Sequence, residues 1–118
     1  MSGTYSIKGF DIFELSKKLV IACYALTGNL PAEEKTNLTK YIRHAALSVH
    51  INLTQGSFSK KKKAKRKGVT EAKNSLVIID AAVDVLVEVG LVKPQETNEV
   101  MQLSSTIYQL LDRLKKQK

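Results

Sequence analysis

The chain has 118 residues, 43% of them hydrophobic and 25% charged, with a formal net charge of +8, which describes one soluble globular domain with a core of its own. Cys23 is the only cysteine and there are two histidines, so a disulfide scaffold, a four-cysteine zinc site and a Cys/His zinc finger are excluded. No apolar run is long enough to cross a bilayer and the first residues lack a basic-then-apolar leader pattern, so a cytoplasmic location is the expectation.

Residues 11–27 place Ile12, Leu15, Leu19, Ala22 and Leu26 at three- and four-residue spacing, which predicts a first amphipathic helix. Cys23 lies beside that stripe. No cluster of cations surrounds it in the sequence, so it reads as core packing and not as a reactive thiol.

Residues 31–55 predict a second helix, with Leu38, Ile42, Ala45, Val49, Ala46 and Leu53 on its apolar side. Pro31 suits a first helical turn, and Glu33 and Glu34 suit the positive end of the helix dipole. His44 and His50 stand six residues apart, which is not the four-residue step of a helical metal pair, so they read as surface or interface residues. Two Asn-Leu-Thr triplets match the glycosylation pattern, but both fall inside this predicted helix.

Residues 60–89 predict a third helix with a core stripe of Val69, Ala72, Leu76, Ile79, Val83 and Leu86. The β-branched run at 77–79 does not make a strand, because the helical spacing continues through it on both sides. Beyond the core stripe lie Val77, Ile78, Ala81, Ala82, Val85 and Val87. A helix apolar on most of its circumference cannot face water on its remaining sides, so Val77, Ile78, Ala81 and Val85 are expected to meet another subunit. Asp80 and Asp84 are four apart, but the Glu-x-x-His pairs of a carboxylate-bridged metal bundle are missing, so they read as flanking polar groups.

Residues 94–116 predict a fourth helix carrying Val100, Leu103, Ile107, Leu110 and Leu114. Pro94 opens it, Glu96 falls in its first turn, and Arg113, Lys115 and Lys116 fall in its last, as the dipole favours.

Gly28, Gly56 and Gly90 fall near the predicted helix ends, and the connections between helices are short. Short connections force antiparallel neighbours, so the expected fold class is all-α, an antiparallel up-down-up-down four-helix bundle. Helix three then begins at the same end of the bundle where helix four finishes.

That topology matters because of the charge. Lys60, Lys61, Lys62, Lys63, Lys65, Arg66 and Lys67 hold seven cations with no acid among them. Residues 112–118 carry a net +3. Setting both segments aside leaves −2 on the rest of the chain. The two basic segments are expected at one pole, where they would bind phosphates of RNA or DNA. Lys40 and Arg43 on the second helix are weaker candidates. Only Phe58 stands beside the run, so backbone recognition is favoured over a stacking platform. There is no Gly-rich phosphate loop and no visible nucleophile–base pair, and no enzyme, cofactor or metal is expected.

Leu30-Pro31-Ala32-Glu33-Glu34-Lys35, Leu38, Tyr41-Ile42-Arg43-His44-Ala45-Ala46-Leu47-Ser48-Val49 and Asn52-Leu53-Thr54-Gln55-Gly56 form an ordered pattern. Glu71-Ala72-Lys73-Asn74-Ser75-Leu76 and Val89-Gly90-Leu91-Val92 continue it. The pattern resembles the four-helix-bundle family of 23S rRNA intervening-sequence proteins, which also holds Avd, the accessory variability determinant of diversity-generating retroelements. The intervening-sequence branch usually has an acid just before the glycine of the second helix. Here Gln55 stands there, and lysines open helix three, which draws the resemblance towards the Avd-like branch. The resemblance implies a ring-shaped homo-oligomer, a pentamer, that binds nucleic acid and a retroelement reverse transcriptase to support mutagenic copying. Two alternatives stay open: an intervening-sequence bundle of unestablished role, and a protein-interaction adaptor whose basic pole meets an acidic partner or an anionic membrane surface.

Overall fold

The computed structural model describes residues 6–7 and 10–116, with side chains for residues 11–114. Two short strands, β1 (Ser6–Ile7) and β2 (Phe10–Asp11), pair antiparallel with Ser6 opposite Asp11. Four helices follow: α1 (Ile12–Thr27), α2 (Leu38–Phe58), α3 (Lys62–Glu88) and α4 (Asn98–Lys116). Each packs against its sequence neighbours and α4 returns against α1, giving the expected antiparallel bundle, 43 × 25 × 20 Å.

Asp11 starts α1. Its carboxylate accepts from the backbone N–H of Phe13 at 3.0 Å and of Glu14 at 3.4 Å, satisfying two donors that a helix start leaves unpaired. The second helix departs from the expected 31–55. Pro31 precedes a single 3-10 turn (Ala32–Glu34), and the α-helix begins only at Leu38. The Glu34 carboxylate reaches past that turn to accept from the Leu38 N–H at 3.3 Å and from Asn37 Nδ2 at 3.2 Å. Pro94 behaves alike: it opens a 3-10 turn (Pro94–Thr97), and Glu96 reaches back to the Lys93 N–H at 2.8 Å. In both places proline followed by glutamate builds a capped turn ahead of the helix.

The other end of α2 also runs further than expected. Gly56 lies inside the helix, buried, and α2 continues to Phe58. Its partner is Gly68, buried in α3. A Cβ on Gly68 would stand 2.7 Å from the Asn52 carbonyl oxygen and 3.4 Å from the Gly56 Cα. These glycines are there for backbone-to-backbone approach, not for chain termination. Ser48 and Ser75 extend the same close seam, their hydroxyls 3.0 Å apart. Gly90 does end a helix. It has φ +79°, and the Leu91 N–H donates to Leu86 O while the Gly90 N–H donates to Val87 O, both at 3.0 Å.

The predicted stripes form the core. Leu19, Ile42, Val49, Leu53, Ala72, Leu76, Ile79, Leu86 and Ile107 have no exposed surface, and Leu111 joins them. Cys23 is equally buried, and desolvation pushes its thiol up to about 12, so it stays protonated and inert.

The histidines have separate surroundings. His44 is exposed. His50 turns inward, its Nδ1 2.6 Å from the buried Ser16 hydroxyl of α1. Desolvation, then the nearby Lys17, lowers its pKa below 6.5, with Glu14 opposing. The folded chain therefore resists protonation at His50 while the unfolded chain accepts it near pH 6.5. Stability from this group is complete above that value and is lost as pH falls through the lowered one. Melting temperature followed from pH 7.5 down to 5.5 should decline below about 6.5, and His50→Gln should flatten that decline.

Candidate nucleic-acid interface

The basic run divides into three structural parts. Lys60 and Lys61 lie in the connection before α3, where the Ser59 hydroxyl accepts from the Lys61 N–H at 3.2 Å. Lys62, Lys63, Arg66 and Lys67 project from the first turns of α3 and are exposed. Pairs 62/66 and 63/67 are each four apart, so they form two neighbouring rows along the helix. Lys65 does not join them. It is half-buried, and its ammonium donates to the Ser57 carbonyl at 3.3 Å, closing the C-terminal end of α2. Six of the seven cations are thus exposed, and the seventh, Lys65, ties the start of α3 to the end of α2. The cause is the three-residue connection, which leaves Lys65 beside the last carbonyls of α2.

No acid stands in the first turn of α3, and no side chain caps it. Clustered cations at a helix start oppose the dipole, each by roughly 0.3–1 kcal/mol where exposed. Folding by itself supplies no reason for that arrangement.

The end of α4 meets this pole, as the topology requires. Lys73 Nζ on α3 contacts Asp112 Oδ1 on α4 at 2.8 Å and sits 4.8 Å from the Tyr108 ring centre. Asp112, the one acid of the basic tail, is thereby turned to Lys73, while Arg113 is exposed. Lys115 and Lys116 lie in the last turn of α4, and their side chains fall outside the described residues. Lys118 lies outside them altogether.

Arg43 and Lys40 do not belong to this site. Both lie near the start of α2, at the opposite pole. Arg43 Nε donates to Thr27 Oγ1 at 2.8 Å and the guanidinium lies 4.3 Å from the Tyr24 ring centre, so it ties α2 to the end of α1. The same far pole gathers Glu33, Glu34, Glu88, Glu96 and Glu99. Lys35, Lys40, Arg43 and Lys93 lie there too, so the far pole is close to neutral and the excess positive charge is confined to one end of the bundle. No group of three or more metal-ligating side chains forms among the described residues, and Asp80 instead accepts from the Ser104 hydroxyl at 2.9 Å.

The second apolar set on α3 faces outward. Val77, Ile78 and Val85 are 54%, 47% and 44% exposed, and Ala81 is exposed beside them. Helical spacing puts Lys63 and Lys67 on this same outer face, about three to six turns nearer the basic pole. The structure adds a face that sequence reading missed: Tyr41, Leu47, Ile51 and Phe58 along α2, the last 70% exposed. Their spacing around the outer side of α2 carried the signal, but it was masked by the stronger core stripe.

An open notch of about 280 Å³ lies between the end of α2 and the start of α3, lined by Asn52, Gln55, Gly56, Ala64, Lys67 and Gly68. A second cavity, about 260 Å³, opens at the far pole among Ala22, Leu26, Leu91, Val92, Glu96 and Glu99. No helix is long and apolar enough to cross a membrane among the described residues.

The model of one protein family, the 23S rRNA-intervening sequence protein, matches residues 8–113. No curated protein matches the chain.

Proposed function

Because the chain belongs to the 23S rRNA-intervening sequence protein family, and because six cations project from one pole of its bundle, we propose that it is a non-enzymatic, homo-oligomeric nucleic-acid-binding protein. Lys60, Lys61, Lys62, Lys63, Arg66 and Lys67 meet phosphates, and Arg113, Lys115 and Lys116 extend the patch. The observation that carries the reading is the concentration of unopposed positive charge where the dipole makes it unfavourable for folding alone. The helix start adds its own unpaired N–H groups, which favour an anion.

Titrating binding to a duplex across salt tests it. Six neutralised phosphates give a slope of log K against log salt of about −5. A slope near zero would remove the proposal.

The outward apolar face of α3 supports the homo-oligomer. Its apolar half is covered by a second copy while its basic half stays open, so a closed ring repeats the pole on every subunit and multiplies weak phosphate contacts. Val77→Lys with Val85→Lys should convert the assembly to monomers by light scattering with helix content unchanged. A wild type that is already monomeric at micromolar concentration would refute the interface.

The finer reading is an Avd-like accessory protein acting with a reverse transcriptase. It is favoured by the neutral Gln55 and the lysine-rich opening of α3. A reverse-transcriptase gene beside this one, and co-purification of its product, would establish it. A position inside a ribosomal RNA gene would place the protein in the other branch.

A further inference from the structure

We infer that the notch between α2 and α3 seats one unpaired nucleobase of a strand whose phosphates lie on the neighbouring cations. This rests on the reading of the pole as a nucleic-acid interface. The notch opens beside the Gly56–Gly68 backbone contact, on the side where Ala64 carries only a methyl. Peptide surface and that methyl form its floor, and Asn52, Gln55 and Lys67 form its edge. About 280 Å³ is room for on the order of nine waters at ~30 Å³ each, the scale of one planar heterocycle.

The polar groups on its edge suit a base better than a phosphate. Asn52 Nδ2 donates to the Ser48 carbonyl and to the Ser48 hydroxyl, both at 2.9 Å. Those bonds orient the amide and leave Oδ1 as an acceptor. The Gln55 side chain is exposed, offers both donor and acceptor, and makes no hydrogen bond among the described residues. Carboxamides match the mixed donor–acceptor edge of a base, whereas acceptor oxygens repel an anion. Lys67 is the only cation in the lining, and it also belongs to the exposed row on α3. It lies where the phosphate next to a seated base would pass. A paired base keeps its edge in the duplex and cannot enter, so the notch selects single-stranded or looped nucleic acid.

Two variants keep the charge constant. Ala64→Leu fills the notch from the α3 side without entering the Gly56–Gly68 contact. Gln55→Ala removes an exposed amide and leaves the fold untouched. Both are compared with wild type by fluorescence anisotropy on a short unstructured RNA, the same strand with abasic sites, and a duplex of equal length, at several salt concentrations. Melting curves confirm that each variant folds.

Loss of a seated base should weaken single-strand binding about tenfold at every salt concentration, with the salt slope unchanged and duplex binding unaffected. The abasic strand should bind wild type as weakly as the intact strand binds Ala64→Leu. Wild-type affinity in both variants would overturn the base seat while leaving the phosphate-binding pole intact. A slope reduced by about one would overturn it too, because the group in the notch would then be a phosphate. Absence of binding to any strand at low salt would defeat the pole and the notch together.

Discussion

The variant carrying Lys61→Glu, Lys63→Glu, Arg66→Glu and Lys67→Glu should lose nucleic-acid binding altogether while keeping its helix content. Each reversal changes the pole by two charges, so four reversals change it by −8. The run then carries three cations against four anions. With log K falling by about 0.9 per phosphate contact for each decade of salt, even removing four contacts costs roughly three to four decades of affinity near physiological salt, before repulsion is counted. The fold should survive for three reasons. All four side chains lie outside the core. Lys65, which holds the α2 end, is left alone. Glutamates at the start of α3 suit its dipole, so the variant should melt no lower than wild type. Anisotropy on labelled RNA and circular dichroism on the same sample give both answers. Binding that persists with normal helicity would move the interface elsewhere on the bundle.

The second large effect concerns Gly68. On helix propensity alone, Gly68→Ala should stabilise α3 by roughly 1 kcal/mol. The tertiary contact reverses the sign. The new methyl would stand 2.7 Å from the Asn52 carbonyl oxygen, a backbone atom that cannot swing aside. Relieving the clash requires parting α2 from α3 along their seam, where Ser48 and Ser75 are hydrogen-bonded at 3.0 Å. Overpacking of this kind costs about 1–3 kcal/mol, and here the backbone contact puts it at the upper end. A net loss of about 1–2 kcal/mol is expected, seen as a melting temperature lower by about 4–8 °C. A melting temperature that rises would mean that the seam yields and that the glycine serves another purpose.

The basic run and the glycine seam also divide what could be read from residue order from what could not. The four helices were legible because their core stripes repeat at the helical period, and that period needs no knowledge of neighbours. Val69, Ala72, Leu76, Ile79, Val83 and Leu86 all lie in the core as their spacing predicts. The convergence of the basic segments was legible too, since short connections admit one antiparallel arrangement and its ends follow by counting. Gly56 and Gly68 were not. In sequence Gly56, at the end of an apolar stripe, reads as a stop and Gly68 carries no signal, and only the crossing of two backbones reveals them as spacers. The 3-10 turns after Pro31 and Pro94 were missed for a related reason, because both turn and helix begin with the same Pro-x-Glu chemistry and differ only in where the glutamate hydrogen-bonds.

The site followed the same division. Charge is additive and visible in one dimension, so the seven cations could be named from the chain alone. Their roles depend on what stands opposite. Lys65 faces the last carbonyls of α2, Asp112 is turned to Lys73, and Arg43 faces Thr27 and Tyr24 at the other pole. By itself the sequence determined an all-α bundle with its charge gathered at one end, because periodicity and formal charge are local properties. Which cations stay free, where two helices touch backbone to backbone, and the notch that this contact leaves beside Lys67 were decided only by the tertiary structure. Each depends on groups far apart in the chain and on their distances once the helices are packed.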